Sequence, residues 1–197
     1  HLHTTYSLLD GAQLIGVVKN PKKEFGLLNK LQSLGMDAVA ITDHGNMFGT
    51  MDFYSRAHAA QIKPIIGCEV YVSVSERQSR TDRRYHHLIL LARNQEGYQN
   101  LKYLVSMGYV EGFYYKPRVD KELLKKYATG LIASTACLGG EVAAAFREGG
   151  YEKAKSASAE LAKIFEPGHF YLEVQSNGYD GQQAYNNALR RIGQELD

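Results

Sequence analysis

The stretch AVAITDHGNMFGTMDFYSRAHAAQIKPIIGCEVYVS, residues 38–73, decides the fold class. It opens on a short apolar, β-branched run, Ala38–Thr42, and turns through Asp43-His44-Gly45-Asn46. TMDFYSRAHAAQ then reads as a helix, and Pro64 opens a second strand over Ile65–Ser73. This is a strand–helix–strand unit.

The same alternation runs along the chain. Further strands are expected at His1–Thr4, His86–Ala92, Leu131–Ser134 and Phe170–Gln175. In KKEFGLLNKLQSLG, residues 22–35, Phe25, Leu28, Leu31 and Leu34 recur at helical spacing and Gly35 marks the stop. NQEGYQNLKYLVSMGY (94–109) has the same character, and DKELLKKYA (120–128) opens on an Asp N-cap. YEKAKSASAELAKIFE (151–166) ends at Pro167-Gly168, and DGQQAYNNALRRIGQEL (180–196) supplies a last helix. Repeated strand–helix units predict an α/β domain with a parallel sheet and helices outside, either a barrel or a doubly wound sheet. No G-x-G-x-x-G follows a strand, so a dinucleotide fold has no support.

With 197 residues, 44% hydrophobic and 22% charged, the chain fits one globular domain. Its net charge of +2 gives no global basic field for nucleic acid. KNPKK (19–23) and RQSRTDRR (77–84) are local basic segments, a type that is usually a solvated loop. No apolar run approaches the ~20 residues of a membrane helix. Cys68 and Cys137 form no disulfide framework, which suits a reducing cytoplasm.

The strand ends carry the chemistry. His1 and His3 alternate at the first strand, where a purification tag would be a longer histidine run without apolar alternation. Asp43-His44, Glu69, His86-His87 and Cys137 sit at or just past other strands. In parallel α/β folds such positions gather around one site. Imidazoles with carboxylates and a thiolate suit divalent metals, and residues i and i+2 of a strand share a face. Asp10 follows in the loop after the first strand. So many donors exceed one tetrahedral set, so two or three ions are expected; two ions ~4 Å apart clamp the attacking and leaving oxygens of phosphoester hydrolysis.

HLHTTYSLLDG, AITDHGNMFG, KPIIGCEVYV, YHHLILLARNQEGYQNL, GFYYKPRVD, GLIASTACLGGE and FYLEVQSNG resemble, in order, the polymerase-and-histidinol-phosphatase (PHP) family. SLLDG, TDHGN and GFYYKPR resemble the branch found at the amino end of bacterial replicative DNA polymerases. The resemblance implies a distorted (β/α)7 barrel with up to three divalent metals, such as zinc, manganese or iron. It carries the ligand roles to His1, His3, Asp10, His44, Glu69, His87 and Cys137. His87 is chosen over His86, its neighbour on the other strand face, and Cys68 should point away from Glu69. Asp43 is expected in an orienting or turn role. Glu173 matches a family feature without a ligand assignment, Lys116 and Arg118 are candidate phosphate contacts, and His58 and His169 are surface or structural residues. The family's last motif, an Asp-x-His pair on a final strand, is expected beyond Asp197, so residues 1–197 would be one domain of a longer polymerase chain, without the barrel's final strand and with seven of nine ligands.

The function implied is a metal-dependent phosphoesterase acting on a DNA 3′ end, a 3′–5′ exonuclease suited to proofreading. Its partners would be the remaining polymerase domains and other replisome subunits, and no membrane. The alternative is a structural metal-binding module that stabilises the polymerase or docks partner subunits. A free-standing phosphatase of small monoesters is disfavoured by the polymerase-type motifs. Polymerisation itself would belong to other domains.

Overall fold

The structure, a computed structural model, describes residues 1–16 and 26–196. Six helices and six strands follow one another as α1 (Leu27–Ser33), β1 (Ala38–Ile41), α2 (Thr50–Ala59), β2 (Lys63–Ser73), β3 (Tyr85–Ala92), α3 (Gln95–Val110), β4 (Arg118–Val119), α4 (Lys121–Tyr127), β5 (Leu131–Ser134), α5 (Glu141–Ala162), β6 (Phe170–Tyr171) and α6 (Gln182–Leu196). The expected Phe25 helix position and the KNPKK segment lie outside the described residues. No helix among the described residues is long and apolar enough to cross a membrane.

The elements form one sheet in the order β1-β2-β3-β5-β6, with β4 also on β2. The parallel expectation is corrected at β3. It runs antiparallel to both β2 and β5, while β1–β2, β2–β4 and β5–β6 are parallel. The reason is the connection: β2 and β3 are joined by the loop 74–84 and not by a helix, and a parallel return needs a crossover. The sheet is mixed.

Two expected strands are mostly absent, for one reason. His1–Thr4 makes no ladder, only an isolated bridge from Thr4 to Gln13. Its amides go to side chains instead: Leu2 N donates to Thr42 Oγ1 (2.9 Å) and Thr4 N to Asp43 Oδ1 (2.7 Å). Phe170–Gln175 keeps only Phe170–Tyr171 in strand, because Glu173 N donates to Thr135 Oγ1 (2.9 Å) and Gln175 N to Asn186 Oδ1 (3.3 Å). Side-chain acceptors compete with the ladder at both places. The helices follow the sequence reading more closely. Asn94 and Asp120 cap α3 and α4 by accepting from Gly97 N and Leu123 N. α5 begins at Glu141, not Tyr151, and is broken at Gly149-Gly150.

One core cluster lies between the sheet and helices α3 to α6, with Cys68, Val70, Val72, Leu88 and Leu90 turned into it. A second packs Leu28, Leu31, Ile41 and Phe53 together, with Leu2 against them. Strand alternation therefore turns Glu69 and Tyr71 of β2, and their cross-strand partners Ile89 and His87 of β3, to the opposite face. That face carries the site.

Candidate metal centre

The His-Leu-His segment is held in place without being a strand. Thr42 N donates back to Leu2 O (2.9 Å), and Leu2 anchors in the second core. An extended backbone with Leu2 inward leaves His1 and His3 together on the other side. Asp43 fastens the segment further. This buried carboxylate accepts from Thr4 N at 2.7 Å, from the Thr4 hydroxyl at 2.9 and 3.0 Å, and from the Ser7 hydroxyl at 2.7 Å. Ser7 Oγ in turn accepts from His44 N at 3.0 Å. Gly45 permits the turn after His44: its φ is +61°, and a Cβ there would lie 2.7 Å from the Tyr71 ring.

Glu69 is the hub. It is fully buried in mid-strand, yet its two oxygens face two different sets of donors. Oε2 lies 2.6 Å from His1 Nδ1 and 3.4 Å from His3 Nε2, and Oε1 lies 3.0 Å from His44 Nδ1 and 2.9 Å from His87 Nδ1. Two more donors attach through the second set. Asp10 Oδ2 is 2.6 Å from His44 Nε2, and Cys137 Sγ is 3.6 Å from His87 Nδ1. On the first side, Glu173 Oε1 comes within 3.5 Å of His1 Nε2. One donor atom each from His1, His3 and Glu69 lies within 4.8 Å of the others.

Burial and alignment test whether these residues fit a cation. Glu69 Oε2 and His3 Nδ1 are buried polar atoms with no hydrogen-bond partner, although Oε2 is crowded by imidazole nitrogens. Buried acceptors are nearly always paired. Two imidazole nitrogens, His1 Nδ1 and His3 Nε2, converging on one carboxylate oxygen fit a divalent ion, whose preferred donors these are. The residues fit.

The charge state agrees. Burial opposes ionisation of Glu69, but contacts from His1, His44 and His87 outweigh it and hold the carboxyl well below the usual range. Burial likewise lowers His87, yet Cys137 and Glu69 push it up to about 9. His1 and His44 are raised by Glu69, whereas burial and the neighbouring His44 ring, stacked at 3.9 Å, lower His3. Burial raises the Cys137 thiol, but His87 brings it down overall.

A model of the PHP domain matches residues 1–177. The chain belongs to the PHP domain family. It is similar to the DNA polymerase III subunit alpha of Helicobacter pylori, 43% identical over 206 residues that cover 99% of this chain and 16% of that one. The subunit of Campylobacter jejuni is 44% identical over 208 residues, 100% of this chain and 16% of its own. That of Thermus aquaticus is 40% identical over 204 residues, 99% and 16% respectively. The chain spans about a sixth of the length of these relatives.

This PHP domain brings all seven candidate residues into one chain of contacts, although not by the strand-end logic. His87 stands near the start of β3 and reaches the centre because β3 runs antiparallel to β2, pairing with Tyr71. His86 points to the other face, near Asp120 and Lys121. Cys68 lies in the core and its thiol donates to Asp43 O. His58 is exposed, against Tyr54, and His169 is half-buried, against Arg93. Asp43 orients the His1–Ser7 segment, not the His44 ring.

Arg118 is corrected. It is fully buried, and its guanidinium donates to the carbonyls of Gly112 (3.2 Å), Asp82 (2.6 Å), Arg77 (3.0 Å) and Ser79 (2.6 Å), so it touches no phosphate. Lys116 is exposed beside the centre, over the Tyr71 ring at 5.3 Å. Sequence reasoning missed Thr4, Ser7 and Gly139. Gly139 N donates to Cys137 Sγ at 3.4 Å, and a Cβ there would lie 2.9 Å from His87 Nδ1. The Gly-Gly pair after Cys137 was the available signal.

The raised His87 has a pH consequence. Its folded value of about 9 stands above the ordinary 6.5, so its stabilisation of the metal-free domain is complete below 6.5 and is lost as pH rises through 9. A metal needs the neutral ring, so binding must expel that proton. Between pH 6.5 and 9, metal affinity should therefore rise while the unfolding temperature in chelator falls. Calorimetric titration in two buffers should show at least about one proton released per chain at pH 7, from His87, with His1, His44 and Cys137 adding to it; affinity independent of pH across this window would contradict the assignment.

Proposed function

We propose that this domain is a metal-dependent phosphoesterase that removes nucleotides from a DNA 3′ end, within a replicative polymerase of the DNA polymerase III alpha kind. The observation that carries the reading is Glu69, a buried carboxylate whose two oxygens face separate donor sets. His1 and His3 would complete one metal position on Oε2, and His44 and His87 a second on Oε1, with Asp10 and Cys137 completing two to three sites. Zinc, manganese and iron all accept this mixture of imidazole, carboxylate and thiolate. When bound, such ions stabilise charge on the phosphoryl oxygens and lower the pKa of water.

The chain's own residues prepare the site. A cavity of about 360 Å³ adjoins the cluster, with His44, Asp10, His87, Tyr71 and Lys116 on its walls. That volume falls in the ligand-pocket range of about 300–1,000 Å³. Lys116 would hold a phosphate there, and Asp43 keeps the His1–Ser7 segment in register with β1. The six-stranded sheet would form the wall of the family's distorted (β/α)7 barrel, with the His-Leu-His segment spanning between β1 and Glu173. In the relatives' context the domain would work in DNA replication in the cytoplasm, with the remaining polymerase domains and replisome subunits as partners.

A structural module is the second reading. It is favoured by the way the cluster ties five segments together, the amino-terminal residues, the turn at His44, β2, β3 and the loop at Cys137, as a metal staple would. Replacing His3 or His44 by Ala in the full-length protein separates the two. A 3′-labelled oligonucleotide should lose its metal-dependent degradation by at least about 100-fold, as removing a donor weakens the metal more than an outer-shell change does. Primer extension should persist. Unchanged degradation in both variants would leave only the structural module.

A further inference from the structure

The segment RQSRTDRR finds a use in the fold. Arg83 and Arg84 line a groove of about 640 Å³ together with Arg147, and this groove shares Lys116 and Tyr85 with the cavity at the metal centre. The two hollows are therefore neighbours, with Lys116 and Tyr85 bordering both. Their charge is one-sided. Arg83 has no ion-pair partner among the described residues, Arg84 is tied to half-buried Asp82 (2.8 Å), and Arg147 donates to the Leu138 carbonyl (2.7 Å). The acidic lining residue, Glu148, is already neutralised by Lys153 at 2.9 Å. Tyr115 stands at the same groove, 68% exposed, on a backbone with φ +62° that a bulky residue rarely adopts. Such strain persists only where the surroundings impose it, and it concentrates at binding sites.

We propose that this groove holds a single strand of DNA leading to the metal centre, with phosphates on Arg83, Arg84, Arg147 and Lys116 and bases against Tyr85 and Tyr115. Cations along a groove with interleaved aromatic faces are the means by which proteins bind single strands without reading sequence. A small phosphate monoester would use the cavity at Glu69 and leave the groove idle, so the groove assigns the substrate class: a polynucleotide. The inference rests on the nuclease reading of the centre, but its test does not need turnover.

The full-length protein, kept in chelator, is irradiated with a 12-nucleotide oligo-dT carrying 5-iodouracil, and adducts are mapped by mass spectrometry. Adducts are expected on Tyr85 or Tyr115. In Arg83→Ala/Arg84→Ala/Arg147→Ala their yield should drop at least about tenfold at 0.1 M salt, since three phosphate contacts are lost. Adducts confined to other regions, a yield unaffected by the triple change, or displacement by polyglutamate as effective as by unlabelled oligo-dT would each overturn the proposal. If His3→Ala leaves degradation intact while the adducts appear as expected, the nuclease reading fails and the groove stands.

Discussion

Glu69→Gln is expected to weaken metal binding by more than about 100-fold and to end multinuclear occupancy. Changes to groups that merely orient a ligand already cost 10–100-fold, so a shared donor at the centre should exceed that. The substitution preserves shape and removes the charge around which His1, His44 and His87 are arranged, 2.6 to 3.0 Å away. Two effects add. One acceptor oxygen becomes an amide that offers hydrogens to the imidazoles, and the neutral residue no longer offsets the charge of a second ion. The three histidines, raised by Glu69 in the parent, should also titrate lower. Metal counting after dialysis, together with chelator competition, measures the effect. Retention of two or more ions per chain at parental affinity would show that Glu69 is not the hub. Because the neighbouring histidines can titrate to neutrality, the metal-free fold should tolerate this change better than the loss of Arg118.

Arg118→Ala should produce the largest loss of stability, about 4 kcal/mol or a melting point lower by about 10 °C. Its side chain lies fully buried, and its donors satisfy four carbonyls at 2.6 to 3.2 Å. Three of those carbonyls, of Arg77, Ser79 and Asp82, belong to the loop between β2 and β3. Truncation leaves them unpaired and opens a void where the guanidinium stood, and each unsatisfied buried group costs roughly 1–3 kcal/mol. Arg118→Lys should recover less than half of the loss, because one ammonium cannot span carbonyls that a planar fork reaches. Thermal unfolding in chelator isolates this effect from metal binding. Both variants melting within about 2 °C of the parent would mean the loop holds itself.

Several features were legible from local pattern alone. Apolar alternation and caps located β1, β2, β3, β5 and most of the helices, because a residue such as Asp120 needs only the Leu123 N–H three residues on to start a helix. The chemistry of the site was legible as well. His1, His3, Asp10, His44, Glu69, His87 and Cys137 stood out because imidazoles, a thiol and carboxylates beside apolar strands have few other uses, and the family motifs carried the same residues. The choice of His87 over His86 came from the family motif, in which the residue directly before the leucine, here Leu88, is the ligand.

Strand direction was not legible. The loop 74–84 contains no helical period, yet only the pairing of Tyr71 with His87 shows that β3 turns back, and that reversal brings His87 to Glu69 from the strand's beginning. Arg118 in KPR looks like any exposed cation next to Lys116. Burial separates the two, and burial depends on a loop some forty residues earlier in the chain folding over one and not the other. The His-Leu-His segment has strand alternation but no ladder, because Thr42 and Asp43 offer side-chain oxygens to its amides. Residue type and spacing thus determined which donors this protein has. The division of those donors between the two oxygens of Glu69 came only from tertiary contacts, since it depends on distances between segments that periodicity along one chain does not contain.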